Sequence, residues 1–324
     1  MVKTGVLITG FGGPNSIEAV APFMCNLMGQ EPSEELVTRV CARYLAIGGS
    51  SPLNEIAKGI ARKMESSLQA GGHDVPVAVG MRYWDPYIGD ALAGLRERGC
   101  ERVITVSLSP FESKVAHGAY REAVDEAVAS LGGMTVIEAP LVSTLDAFAS
   151  FYAMSTAATL VEVENNEGLV LAFTAHSLPE GDLVQDDPYV GGLRAVADAV
   201  VEQLGLEPGV EDAGAPIFES FQAYGAAKAP RPWFLVYQSK GNRPGGWLGP
   251  DIDELIDAVA ASGAHGLVVV PIGFLTDHME TLYDLDIVAA GRAYDSGLEF
   301  VRAPAPNDED SVIDAVTASV LSLL

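Results

Sequence analysis

The 324-residue sequence predicts an α/β protein of two similar lobes, each a doubly wound parallel sheet flanked by helices. Three observations carry this. Short β-branched runs alternate with amphipathic stretches, the order of right-handed βαβ units. Several runs are apolar at successive positions, as strands covered on both faces are. The order of elements also repeats. Strand starts at 102 and 135 recur at 265 and 298, and the start near Gly5 recurs near Gly168, an offset of 163 residues each time. A fourth pair, at 75 and 233, is offset by 158.

The first four strands are expected at 6–10, 75–81, 102–110 and 135–140. The second four are expected at 168–176, 233–239, 266–274 and 298–304. Helices are expected over 34–46, 53–70, 86–98, 117–131, 145–162, 189–204, 251–262, 278–292 and 308–323. The repeat places the lobes at 1–145 and 146–307, with the last helix, 308–324, packing back on the first lobe. Similar residues fall at matching places: FGGP (11–14) with HSLP (176–179), and AHGAY (116–120) with DHMET (277–281). The stretch 207–232 is rich in Pro, Gly and Ala and reads as an irregular excursion before the next strand.

Composition removes whole classes of function. Apolar residues make up 48% of the chain, enough for a large core, and the formal charge is −25. Nucleic acid is excluded as a partner, because Lys and Arg on phosphate supply most of that affinity. An anionic membrane surface is disfavoured for the same reason. The three cysteines have no CxxC spacing, which excludes a four-cysteine zinc site or iron–sulfur cluster within the chain and favours a reducing cytoplasm. The N-terminus lacks a signal-peptide layout. The longest apolar run is too short for a membrane helix of about 20 residues.

Open α/β sheets bind ligands beyond the carboxyl ends of their strands. Those places hold Gly10–Pro14, Met81–Trp84, Pro110–Ser113, His176–Pro179, Gln238–Asn242 and Phe274–Glu280. His176 and His278 fall in them, and His117 opens a helix after one. Neither GxGxxG nor GxxxxGK[ST] is present, and no GxSxG surrounds a serine, so nucleotide and acyl-transfer chemistry lack support. In TDHMETLYDLD (276–286), an α-helix capped by Thr276 or Asp277 places Asp277, Glu280 and Asp284 on one face. By spacing alone, an ordinary solvated acidic face and a cation-facing one stay open. The position directly after an apolar strand favours the second.

Six further runs join these: FGGP (11–14), RYLAIGGSSPLNE (43–55), GMRYWDP (80–86), FTAHSLP (173–179), YQSKGNRPGGWLGPDIDELI (237–256) and VVPIGFLTDHMETLYDLD (269–286). Together, in this order, they resemble the ferrochelatases, in particular the short, soluble bacterial type. The resemblance implies Rossmann-like, chelatase-like lobes and insertion of Fe(II) into a porphyrin, coproporphyrin III giving coproheme. Iron is then a substrate, no cofactor is tightly bound, and a cytoplasmic monomer is expected.

Matched position by position, His176 and Glu280 are the catalytic and metal-facing pair, set on opposite walls of a cleft between the lobes. Phe11, Arg43, Tyr44, Ser51 and Tyr120 match positions that hold the macrocycle and its propionates. Asp284 matches a carboxylate of an outward acidic path. A neutral imidazole can take a pyrrole proton or bind a borderline metal, and the opposite carboxylate can ligate the cation or relay protons.

The chain departs from the pattern in four places. Phe11 replaces a tyrosine that ligates iron axially in many soluble members, and a phenyl ring cannot ligate. Segment 24–32 lacks the arginines that some relatives place at the cleft lip. Val288 shortens the acidic path. The loop 111–120 carries His117, which could add a metal contact. The residues therefore leave open another metal or tetrapyrrole, cobalt for example, and a non-catalytic tetrapyrrole carrier. A sugar-nucleotide transferase, suggested by the duplicated lobes alone, ranks last.

Overall fold

The structure, a computed structural model, describes residues 2–163, 168–185, 187–206 and 231–324. Residues 207–230 of the expected excursion lie outside the described residues. The described chain divides into two compact units. The first comprises Met1–Ala147, Leu275–Met279 and Pro306–Leu324, and the second comprises Phe148–Phe274 and Glu280–Ala305. The division is thus not a single cut in sequence: a short strap, 275–279, and the chain's end group with the first unit.

In the first unit, strands β1 (Thr4–Gly10), β2 (Val77–Met81), β3 (Arg102–Ser107) and β4 (Thr135–Glu138) form a parallel sheet in the order β2-β1-β3-β4. In the second unit, β5 (Leu169–His176), β6 (Trp233–Gln238), β7 (Gly266–Val270) and β8 (Glu299–Arg302) form another in the order β6-β5-β7-β8. The two orders are the same once the second set is renumbered, so the sequence repeat is a repeat of topology. β1, β5 and β7 are buried along nearly their whole length. That is the both-faces burial expected of central parallel strands.

The helices, in chain order, are α1 (Val20–Met28), α2 (Glu34–Ala46), α3 (Leu53–Ala70), α4 (Ile88–Glu97), α5 (Ala119–Leu131), α6 (Asp146–Glu162), α7 (Pro188–Gln203), α8 (Ile252–Ser262), α9 (Ala290–Asp295) and α10 (Asp310–Leu321). Their ends follow local chemistry. The Ser33 hydroxyl accepts from Leu36 N at the start of α2. Asp251 and Glu254 form a reciprocal capping box on α8. Gly29 and Gly263 close α1 and α8 in the left-handed region. The helix α1 was not expected. Its residues VAPFMCNLM carry a proline near the start and no side-chain cap, so the usual start signals are missing.

A larger departure concerns the helix expected over 278–292. Residues Glu280–Ala289 are π-helical, and α-helix begins only at Ala290. A matching but shorter π-helical turn, Lys114–Gly118, precedes α5 in the first unit. Hydrophobic spacing cannot distinguish the two helix types over so short a run, so the sequence reads as α.

Each unit has its own apolar core. In the first, Leu7, Leu92, Leu95 and Val103 pack between the sheet, α4 and α5. In the second, Val236, Ile256, Val269 and Ala293 pack between the sheet, α8 and α9. Within the first unit α10 lies against α3, and Lys63 Nζ is 2.7 Å from Asp310 Oδ1. No helix among the described residues is long and apolar enough to cross a membrane.

Candidate active site

His176 is the last residue of β5, and Gln238 is its register partner at the end of β6. Three bonds fix the histidine. The buried Tyr189 hydroxyl, from α7, donates to the His176 carbonyl at 2.8 Å. The His176 Nδ1–H donates to the Ser177 carbonyl. Ser177 N donates to the Gln238 carbonyl at 2.8 Å. With Nδ1 committed to a carbonyl, Nε2 is the nitrogen left to face outward, where it lies 3.3 Å from Glu280 Oε1. Both side chains are half-buried.

His176 and Glu280 both belong to the second unit, and their side chains face each other. Burial works against a charged imidazole, but the Glu280 carboxylate outweighs it, helped by the Ser177 carbonyl and Asp284, and pushes the His176 pKa up to about 9. The neighbourhood of Glu280 thus favours the protonated imidazole.

Glu280 opens the π-helical segment, and its carbonyl accepts from Gln238 Nε2 at 2.7 Å. One turn on, Asp284 Oδ2 accepts from the Ser239 hydroxyl at 2.5 Å. Asp277 leaves the expected acidic trio. It lies in the strap grouped with the first unit, where its N–H donates to Asn307 Oδ1 at 2.7 Å and its Oδ2 accepts from Asn307 Nδ2 at 2.9 Å. The three-carboxylate face expected of an α-helix therefore reduces to Glu280 and Asp284. The turn before them is anchored by Tyr152, whose hydroxyl lies 2.7 Å from the Pro271 carbonyl and 2.6 Å from that of Phe274. Tyr152, Tyr189 and Gln238 were missed as supports. A tyrosine in an apolar helix stripe looks like any core residue, and only the strand-end position of Gln238 marked it.

The residues matched to macrocycle binding lie in the first unit. Phe11 is exposed and tilts against Tyr83 with ring centroids 4.7 Å apart. Arg43 is exposed on α2. Tyr44 is buried among Val20, Phe23 and Met24. Ser51 is buried, and its hydroxyl accepts from Leu53 N at 3.4 Å at the start of α3. Tyr120 is buried and lines a cavity of about 150 Å³ with Thr9, Ser107, His117, Arg121 and Glu138. His278 is half-buried in the strap.

His117 Nε2 lies 3.7 Å from Glu138, and the Arg121 guanidinium is 3.5 Å from its Nδ1 and 2.8 Å from the same carboxylate. No cluster of three or more His, Cys, Asp or Glu able to hold a metal occurs among the described residues. Burial lowers the His117 pKa from 6.5, against the pull of Glu138. The unfolded chain therefore takes up this proton first, and the stability present above pH 6.5 is lost as pH falls below it. The urea midpoint of the protein should drop between about pH 7 and pH 5 more steeply than that of His117→Gln. Equal slopes would show that His117 titrates freely.

A family model described as Ferrochelatase matches residues 3–323. The chain belongs to the ferrochelatase family. It is thus an enzyme, a metal chelatase of the lyase class. This ferrochelatase is 31% identical over 325 residues to a ferrochelatase of Herpetosiphon aurantiacus, covering 98% of each chain. It is also 31% identical to a coproporphyrin III ferrochelatase of Anoxybacillus flavithermus, over 99% of this chain and 96% of that one. Among solved structures, SirB from Bacillus subtilis with Fe3+ covers 99% of this chain and 95% of its own at TM-score 0.56 and 9% identity. A likeness at that identity shows the fold alone, two chelatase lobes.

Proposed function

We propose that this ferrochelatase inserts Fe(II) into coproporphyrin III to give coproheme in haem biosynthesis, with His176 and Glu280 as the working pair. The observation that carries the reading is the 3.3 Å approach of a tautomer-locked imidazole to a carboxylate at the ligand-binding end of a parallel sheet. Relatives named coproporphyrin III ferrochelatase support the choice of porphyrin.

Insertion replaces two pyrrole protons by one divalent cation. As the substrate iron approaches Glu280, its charge opposes that of the imidazolium, and His176 gives up the Nε2 proton to solvent water. Because Nδ1 stays bonded to the Ser177 carbonyl, the freed lone pair is at Nε2, the side on which Glu280 lies. A carboxylate oxygen suits a divalent cation, so Glu280 would hold the iron and leave its other positions to water and porphyrin nitrogens. His176 Nε2 then accepts the pyrrole protons one after the other, releasing the first to solvent by way of Asp284 before it takes the second. Arg43 and Phe11 are assigned to the propionates and the macrocycle face, and the buried Tyr44, Ser51 and Tyr120 shape that wall. Iron is substrate rather than resident metal, and the reaction needs no tightly bound cofactor. The setting is a monomer in the cytoplasm.

A second reading, preference for another metal such as cobalt, is favoured by Phe11, which offers no axial oxygen, and by the absence of arginine from 24–32. A matrix of Fe(II), Co(II) and Zn(II) against coproporphyrin III and protoporphyrin, followed anaerobically by absorbance, separates the two. The expected result is highest kcat/KM for Fe(II) with coproporphyrin III. Preference for Co(II) would transfer the assignment to the second reading, and binding without turnover would leave a carrier.

A further inference from the structure

We infer that Gln238 is a positioning residue that fixes Glu280 against His176, an inference that rests on the proposed role of that pair. Gln238 closes β6 beside His176, and its main-chain carbonyl receives Ser177 N at 2.8 Å. Its side chain, 1% exposed, crosses to the π-helical segment and donates through Nε2 to the Glu280 carbonyl at 2.7 Å. One residue thus bonds to both halves of the pair, its backbone beside the histidine and its side chain on the glutamate. A carbonyl oxygen has two lone pairs, so the Glu280 carbonyl can take this bond beside any within its helix.

Two features show that local stability does not account for this arrangement. Gln238 Oε1 is buried without a hydrogen-bond partner among the described residues, a destabilising state for an amide oxygen. The next residue, Ser239, has φ of 60°, a left-handed conformation unfavourable for a side chain with a Cβ. That conformation accompanies a hydroxyl bond to Asp284 at 2.5 Å. Two consecutive residues at the end of β6 therefore hold the two carboxylate-bearing residues of one π-helical turn, Glu280 by its backbone and Asp284 by its side chain. π-helical turns are rare and are found frequently at functional sites. Strain and an unpaired polar atom retained together beside a working pair fit positioning rather than packing.

The test is Gln238→Leu, with Gln238→Met as a second apolar replacement, assayed beside wild type and His176→Ala for Fe(II) insertion into coproporphyrin III. Each variant removes the donor and the orphaned oxygen together, so the thermal midpoint should hold. Misplacing Glu280 by about 1 Å should lower kcat by up to about 10²-fold and raise KM for Fe(II), while KM for the porphyrin stays unchanged. Undiminished kcat in both variants overturns the inference. So does a loss of kcat that only tracks a fall in thermal midpoint in both, which would mark a packing residue. If instead His176→Ala metalates as fast as wild type, the proposed pair itself fails, and the role of Gln238 falls with it.

Discussion

His176→Ala should lower Fe(II) insertion by roughly 10³-fold while leaving the fold intact. The magnitude follows from what one side chain supplies. In the proposed mechanism Nε2 takes the pyrrole protons, and it lies 3.3 Å from the carboxylate proposed to hold the cation. The backbone is held independently of the ring, by Tyr189 on the His176 carbonyl and by the β5–β6 ladder. The substitution therefore removes chemistry without removing an anchor. The measurement is single-turnover metalation under anaerobic conditions, with porphyrin binding followed separately by fluorescence quenching. Loss of rate with retained porphyrin affinity is the expected pair of results. A fall of less than about tenfold would mean that the histidine is a bystander.

Glu280→Gln should cost a rate factor of the same order and should also change how the protein responds to alkali. In the wild type the imidazolium is favoured by folding, with a pKa of about 9 against an ordinary 6.5. Its contribution to stability is complete below pH 6.5 and is lost as pH rises through about 9. An amide at position 280 removes the dominant stabilising charge and leaves burial, which lowers the pKa, against the weaker pull of the Ser177 carbonyl and Asp284. The His176 ring should then titrate well below 9, and the alkaline loss of stability should disappear. NMR titration of the imidazole, with denaturation midpoints at about pH 7 and pH 10, reads both effects. If His176 keeps its raised pKa in the variant, the ion pair is not the cause of the shift. A rate loss with no change in titration would separate the metal role of the glutamate from its electrostatic one.

The sheets were legible because central parallel strands must be apolar on both faces, and the 163-residue repeat carried the topology from one half to the other. His176 and Glu280 were legible through strand-end position and family resemblance. Their mutual distance was not, because nothing local records that residues on two different connections of one sheet will touch. The raised pKa of His176 was not legible for the same reason, since a pKa belongs to a neighbourhood. The π-helical turns were hidden because apolar spacing over ten residues fits more than one helix period. Asp277 was misplaced by the assumption of a regular α-helix starting at the strap. Tyr44, Ser51 and Tyr120 could be named only through the family resemblance, because burial of all three is not recorded in local spacing.

The matching π-helical turns before α5 and after β7 have a consequence for how such a protein can be altered. A duplicated frame gives evolution two equivalent places to experiment, only one of which has to keep working. In the half that holds Glu280, any change to the turn moves the carboxylate that faces His176. In the other half, the turn carrying His117 is occupied by an internal arginine–glutamate pair and bears no part of the proposed metal chemistry. That turn is the natural place to graft a second cation-binding or sensing function, beginning with Arg121→Ala, without disturbing the first.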